Sequence, residues 1–362
     1  MLFYQVVIIG IFVLNVLINH DKKAYNYYAL TMTFIIIVGI SGLKSINVGS
    51  DTPVYANLFY NSINEQVSLS NLFTQRFEGG YVYLNQILFK IYPHVQILFI
   101  VVSVVTIFCW LFVIDKLSNN ISISIFLFFT FGLFSLLLSN LRQSLAMALV
   151  ILAFYLLYKN HLILSVCLIL LAGTFHISAF IFLGYLILRK IKINKTIIIS
   201  AIIVSVGGYI SFNKILSVGT SLFSKYSSYI ENNVLAGETK VLSTITFGIL
   251  VVTFILGNVI IKKSREKEDI YLQQLNLLIL FACVFSFVAI QTSSFNRLTN
   301  YFSMFIIFYI PKILSLIKQT STRFILAMLI VFSFFLYNFI IMYYRPEWNY
   351  IVPYSTFWQT IG

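Results

Sequence analysis

Charged residues are scarce in this chain of 362 residues. Asp, Glu, Lys and Arg together make up 10% of it, whereas hydrophobic residues make up 60%. Soluble globular domains carry about 25% charged residues. Proline is also rare, with five residues in the whole chain. This composition excludes an ordinary soluble domain and predicts an all-α polytopic membrane protein, because helices satisfy their backbone hydrogen bonds internally within a bilayer.

Several catalytic motifs are missing as well. The three cysteines, Cys109, Cys167 and Cys283, lie inside apolar runs and form no CxxC pair, which argues against redox or metal-binding work. The sequence contains no GxxxxGK[ST], DxD or HExxH pattern. Cytosolic nucleotide hydrolysis is therefore disfavoured. We expect no cofactor and no metal site.

The apolar runs are numerous enough to predict twelve transmembrane helices in a single integral membrane domain, residues 1–362. The first run lacks a basic start and a small-residue cleavage site, so it is predicted to be a retained helix. The predicted spans are 2–19, 25–43, 94–115, 121–138, 143–158, 162–175, 177–188, 196–212, 241–261, 270–290, 299–317 and 324–342.

Basic residues are distributed unequally between the two sets of connecting loops. One set, which includes the runs 189–195 and 262–269, carries 15 Lys and Arg residues against 5 acids. The other set carries 9 basic residues and 6 acids. The positive-inside rule places the first set in the cytoplasm. The net charge of +13 is then explained by topology and does not indicate a nucleic-acid partner.

The opposite, outer face has the longer loops and is the predicted place for chemistry. Loop 44–93 is predicted to carry interfacial helices, one beginning at Ser50-Asp51-Thr52-Pro53 and a second amphipathic one over 81–92. A second outer loop is predicted at 213–240.

A helical hairpin over 139–178 brings two unusual residues to this face. Arg142 precedes its first apolar run and His176 follows its second, so both are expected at similar depth near one membrane surface. Ionisable residues there indicate function. The alternative is that Arg142 extends to the interface as an anchor and His176 caps a backbone carbonyl.

Four of the seven arginines fall on the outer face, where the positive-inside rule disfavours them. A guanidinium binds phosphate with a planar fork of donors, so these arginines suggest a lipid-linked phosphate or pyrophosphate. Arg142 and Arg297 are the main candidates, with Arg76 as a further one. Arg345 is interpreted as an interface anchor because it lies among aromatic residues.

Two acids on this face are candidate catalytic residues. Asp51 either caps its helix or orients an acceptor. Glu78 precedes two glycines, which let backbone approach a ligand closely. Its carboxylate either accepts a proton from a sugar hydroxyl or pairs with an arginine.

Six motifs follow one another along the chain. They are Gly49-x-Asp51-Thr52-x-x-Tyr55, Glu78-Gly-Gly-Tyr81, Arg142-Gln143-x-x-Ala146, Phe175-His176-x-Ser178-Ala179, Arg297-x-x-x-Tyr301-Phe302 and Pro353-Tyr354. Taken in this order, they resemble the EpsG family, a branch of the Wzy-type polymerases of O-antigen and exopolysaccharide. The resemblance implies a GT-C-like fold in the bacterial inner membrane and an active site facing the periplasm. It implies polymerisation of undecaprenyl-pyrophosphate-linked repeat units.

In the reaction so implied, Arg142 and Arg297 stabilise the leaving pyrophosphate, and His176 is a further donor or the general base. Glu78 is the alternative base, Asp51 orients the acceptor, and Tyr55, Tyr81 and Tyr301 are candidates to stack on sugars. Expected partners are the lipid-linked glycans and membrane lipids, with a chain-length regulator as a further candidate. An O-antigen ligase and a lipid-linked oligosaccharide flippase are the alternative functions.

Overall fold

The computed structural model describes residues 1–18, 23–65, 67–68, 72–73, 77–212, 214, 239–266, 268–292 and 295–360. Within these ranges the chain is helical and forms no β-strand, as its composition predicts. Arg76 and residues 215–238 of the predicted second outer loop lie outside the described residues.

Sixteen α-helices are described. In chain order they are α1 Leu2–Ile18, α2 Lys23–Gly42, α3 Thr52–Asn61, α4 Gly79–Ile91, α5 Gln96–Leu117, α6 Ile121–Thr130, α7 Leu133–Ser139, α8 Leu141–Tyr158, α9 Leu162–Phe175, α10 Ile181–Leu188, α11 Lys195–Ile210, α12 Thr239–Lys263, α13 Ile270–Val288, α14 Asn296–Ser303, α15 Ile306–Ser315 and α16 Thr320–Tyr344.

All of the predicted spans fall on helices, but not all of these helices are long enough to cross a bilayer. Among the described residues, six spans are long and apolar enough, namely α5, α8, α12, α13, the α14–α15 pair and α16, and the bent pair α6–α7 makes a seventh. Five other apolar helices are shorter, at 10–17 residues. The chain is a multi-pass membrane protein. The count of twelve and the GT-C-like fold stay predictions.

The predicted span 121–138 is broken in the structure. Helices α6 and α7 meet at an angle of 49°. Gly132, between them, has a φ of 93°, a left-handed conformation that glycine adopts without strain. An apolar run alone predicts one continuous helix. The backbone conformation at Gly132 is what divides this run into two helices.

The helices divide into two compact units. The first comprises residues 1–73, 77–177 and 319–362. Its centre is α8, which packs against α5 on one side and α9 on the other. Small residues let α8 and α9 approach closely, and the Ser165 hydroxyl donates to the Ala153 carbonyl at 2.8 Å.

The chain that follows α16 is joined to the loop between α2 and α3, also in the first unit. Three backbone hydrogen bonds connect residues 45–50 with residues 349–355. They run from the amide of Ser45 to the carbonyl of Ser355, from Gly49 to Tyr350 and from Ser50 to Asn349, at 2.8–2.9 Å. The C-terminal segment therefore holds this loop in place.

The second unit comprises residues 74–76 and 178–318. Helix α13 packs against α11, α12, α14 and α15. A polar contact lies within this apolar bundle: Tyr309 donates to the amide oxygen of Asn276 at 2.8 Å, and Asn276 exchanges hydrogen bonds with Asn258. Such side-chain pairs fix the register of helices that pack in lipid.

Candidate active site

Glu78 lies immediately before α4, where two glycines allow an unusually close helix contact. A side chain at Gly80 would collide with Thr174 near the end of α9. Glycine is therefore required for the start of α4 to lie against the end of α9. This contact places the Glu78 carboxylate beside the residues that follow α9.

The Glu78 carboxylate is paired with Arg142, near the start of α8. The Arg142 guanidinium donates to Oε2 of Glu78, and the two side chains are 14% and 5% exposed. The guanidinium also lies over two aromatic rings, 4.9 Å from the centre of Phe77 and 5.8 Å from that of Tyr55. Its Nε atom is buried and has no hydrogen-bond partner among the described residues. Arg142 is thus held in place by a carboxylate and two aromatic rings, with one buried donor left without a partner in the described part of the chain.

The second carboxylate oxygen of Glu78 faces the end of α9. It accepts a hydrogen bond from the Ile177 backbone amide at 3.3 Å, and Nδ1 of His176 lies 3.6 Å away. Burial on its own raises the pKa of Glu78, but the interaction with His176 and the charge of Arg142 outweigh it and lower the pKa to about 2. Glu78 is therefore an ionised anchor for two neighbours and a poor proton acceptor.

A second set of polar contacts surrounds Asp51. Its side chain makes no capping hydrogen bond to α3, although α3 does begin at Thr52 with Pro53 in its first turn. Instead, the Tyr55 hydroxyl lies 3.4 Å from Oδ2 of Asp51 and donates to Oδ1 of Asn140 at 3.0 Å. Asp51 is only half-buried, so it is the more accessible of the two predicted carboxylates.

The predicted sugar-stacking tyrosines are buried. Tyr55 and Tyr81 pack edge to face with ring centres 5.7 Å apart, and they are 1% and 0% exposed. Tyr301 is also fully buried, in α14. None of the three presents an open ring face in this structure. Both parts of the Tyr55 side chain contact other site residues: the hydroxyl reaches Asp51 and Asn140, and the ring lies against Arg142.

The first unit thus brings together five predicted residues from separate parts of the chain. Arg297 belongs to α14 of the second unit and is partly exposed. Arg345, predicted as an anchor, lies 3.5 Å from Glu347 in a pair that is more than a third exposed. The five residues are Asp51, Tyr55, Glu78, Arg142 and His176, with Tyr81 packed beside them.

Sequence reasoning missed three residues that shape this site. Asn140 immediately precedes α8 and holds Tyr55, and Phe77 covers Arg142. Lys44 is fully buried close to Asp51. Asn140 could have been found from its place as the residue before a helix that begins with a candidate arginine. Neither of the other two has a local signal, because both depend on contacts distant in sequence.

Within the part of the chain that the structure describes, no three side chains of the His, Cys, Asp and Glu types converge as metal ligands would. Asp51 and Glu78, the two acids that sequence reasoning allowed to converge, take part in different contacts, one with Tyr55 and the other with Arg142. The arrangement is suited to binding an anion and an alcohol.

A buried arginine–glutamate–histidine cluster thus lies at the helix ends of a multi-pass membrane protein. The model of the EpsG family matches residues 26–356, nearly the whole chain. This chain belongs to the EpsG family, whose members are Wzy-type polymerase-like. No curated protein and no solved structure matches it.

Proposed function

We propose that this protein joins lipid-pyrophosphate-linked oligosaccharide repeat units into a polysaccharide, O-antigen or exopolysaccharide, on the periplasmic face of the bacterial inner membrane. One observation carries the proposal. Four of the family motifs, centred on Asp51, Glu78, Arg142 and His176, converge in one network of the first unit. Membership of the EpsG family supports a polysaccharide polymerase-like role.

The donor side of the site is the Arg142–Glu78–His176 cluster. Arg142 and His176 both lie against the Glu78 carboxylate, which holds a guanidinium and an imidazole side by side. Held donors of this kind stabilise charge that develops in a transition state. Arg142 and His176 donate to the leaving undecaprenyl pyrophosphate.

The acceptor side is the Asp51–Tyr55–Asn140 set. The hydroxyl oxygen of the acceptor sugar attacks the anomeric carbon of the donor glycan and forms the new glycosidic bond. The bond from that carbon to the pyrophosphate oxygen breaks, and the pyrophosphate leaves with the electron pair. Asp51 takes the hydroxyl proton, because it is accessible and its contacts at 3.4 and 3.5 Å are weak. Glu78 is unsuited to this step because its pKa is low and its oxygens are occupied.

Polysaccharide banding from a deletion strain tests the function. The strain is complemented with the wild-type protein, with Asp51→Asn or with Arg142→Ala, and Glu65→Gln serves as a control acid outside the network. We expect a full ladder from the wild-type protein and from Glu65→Gln, and a single repeat unit from the other two.

The same gel separates the alternative functions. A strain that retains one lipid-linked repeat unit but no ladder lacks a polymerase. If the deletion removes every repeat unit from the finished glycolipid, the protein is a ligase or a flippase, and the proposal is wrong.

A further inference from the structure

Lys44 is a buried cation that the proposed reaction does not use. Its side chain is 0% exposed, although lysine is almost never fully buried without partners. It lies in the loop between α2 and α3, which also contains Asp51. Burial of an ammonium group costs free energy unless the group is hydrogen-bonded. The contacts of Lys44 therefore show which parts of the chain it joins.

The ammonium has three acceptors, which match its three N–H donors. It donates to the carbonyl of Val48 at 2.9 Å, to the hydroxyl of Thr52 at 2.7 Å and to the carbonyl of Leu138. It also lies 5.0 Å from the centre of the Phe99 ring, in α5. These contacts join the start of α3 to the end of α7.

The two elements joined in this way carry both halves of the acceptor side. Asp51 is the residue before Thr52, and Asn140 follows Leu138 by two residues. The Thr52 hydroxyl also lies 3.2 Å from the Leu138 carbonyl, so Lys44 and Thr52 converge on one acceptor. Gly49 is needed at the same point, because its φ is 104° and a side chain there would strike that carbonyl.

We propose that Lys44 is a positioning residue, which holds Asp51 opposite Asn140 and Arg142 by fastening the start of α3 to the end of α7. Its role in the reaction rests on the proposed polymerase function, whereas its role in the geometry does not. Burial lowers the pKa of Lys44 to about 7, and the charge of Asp51 opposes that shift. Asp51 therefore also favours the charged form that supplies all three donors.

Lys44→Met tests this role because methionine is similarly long but supplies no donor. Lys90→Met is the matched control, since Lys90 is exposed and lies in the same predicted outer loop. We expect Lys44→Met to lower the rate of polymer formation at saturating substrate by at least about tenfold, as displaced catalytic groups do. Lys44→Arg, which keeps the charge and donors, should recover part of the rate, and Lys90→Met should match the wild-type protein.

Cross-linking measures the geometry without the reaction. Cysteines at positions 51 and 140 are treated with a short bis-methanethiosulfonate, with and without Lys44→Met. A second pair at positions 5 and 338, whose natural side chains are 3.3 Å apart, is the control. Lys44→Met should reduce the 51–140 cross-link and leave the 5–338 cross-link unchanged.

The outcomes separate the two proposals. If the wild-type protein makes no polymer but the 51–140 cross-link depends on Lys44, the positioning role stands and the polymerase function falls. Where Lys44→Met does not accumulate in the membrane, Thr52→Val, which removes a single contact, takes its place. An unchanged 51–140 cross-link in Lys44→Met, or in Thr52→Val as its replacement, overturns the positioning role.

Discussion

The carboxylate of Glu78 holds the guanidinium of Arg142, 64 residues away, in a pair that is almost closed to solvent. Each side chain has further contacts: Glu78 with the end of α9, and Arg142 with two aromatic rings. The pair therefore fixes three helix ends relative to one another. We therefore propose that Glu78 positions Arg142 and His176 and does not exchange protons with substrate.

Glu78→Gln should destabilise the protein strongly. Removal of one partner from a buried ion pair leaves the other charge uncompensated and costs about 3–5 kcal/mol. Thermal unfolding of the purified protein in detergent measures this effect. Glu347→Gln is the control, because its pair with Arg345 is far more exposed and should contribute less than about 1 kcal/mol. Equal losses of stability in the two variants would show that the buried Glu78–Arg142 pair contributes no more to stability than the exposed Glu347–Arg345 pair.

The stabilising effect of Glu78 should be lost only in acid. Because its pKa falls from 4.5 to about 2 on folding, its contribution is fully present above 4.5 and is lost as the pH falls toward 2. The difference in melting temperature between the wild-type protein and Glu78→Gln should therefore be constant from about pH 5 to pH 7 and shrink below that range. A difference that already changes near neutral pH would contradict the assignment of a low pKa.

Tyr55→Phe should impair the reaction more than the fold. The change removes only the hydroxyl that contacts Asp51 and Asn140. Loss of one hydrogen bond costs about 1 kcal/mol in stability, whereas a misplaced acceptor site can lower the polymerisation rate by at least about tenfold. Tyr83→Phe, an exposed tyrosine of α4, is the control. If both variants polymerise at the wild-type rate, Tyr55 does not position the acceptor side.

Turnover should need no divalent metal. The guanidinium of Arg142 can neutralise charge on a leaving pyrophosphate. Purified protein with excess EDTA should then make polymer at close to the rate seen with magnesium. Activity that disappears with EDTA and returns with magnesium or manganese would instead make Asp51 and Glu78 candidate metal ligands.

Sequence reasoning succeeded where the determining signal is local. Apolar runs predict helices because the bilayer leaves few alternatives for the backbone, and the helices lie where the runs do. The start of α3 at Thr52 follows from the Ser-Asp-Thr-Pro pattern. The hairpin of α8 and α9 likewise brings the neighbourhoods of Arg142 and His176 to one end of the pair.

The rest depends on contacts between distant residues. The position of Lys44 in a predicted outer loop does not indicate that its side chain is buried. Nor does it indicate that the ammonium donates to the Leu138 carbonyl, 94 residues away. For Glu78, the sequence left open a choice between proton transfer and pairing with an arginine, and the structure shows the pairing. Asp51 makes no capping hydrogen bond to a backbone amide of α3, and its side chain instead lies beside the Tyr55 hydroxyl of the same helix. The contacts of Lys44, Glu78 and Asp51 depend on how the helices pack. Packing cannot be read from a single sequence.

The most direct test of the account uses purified protein and a synthetic lipid-pyrophosphate-linked repeat unit in detergent, with products separated by length. The wild-type protein should form a ladder and release the lipid pyrophosphate in step with each bond. Arg142→Ala should abolish the ladder, and Arg142→Lys should restore little of it, because an ammonium cannot reproduce the fork of guanidinium donors. A normal ladder from Arg142→Ala, or no lipid pyrophosphate released by the wild-type protein, would contradict the account.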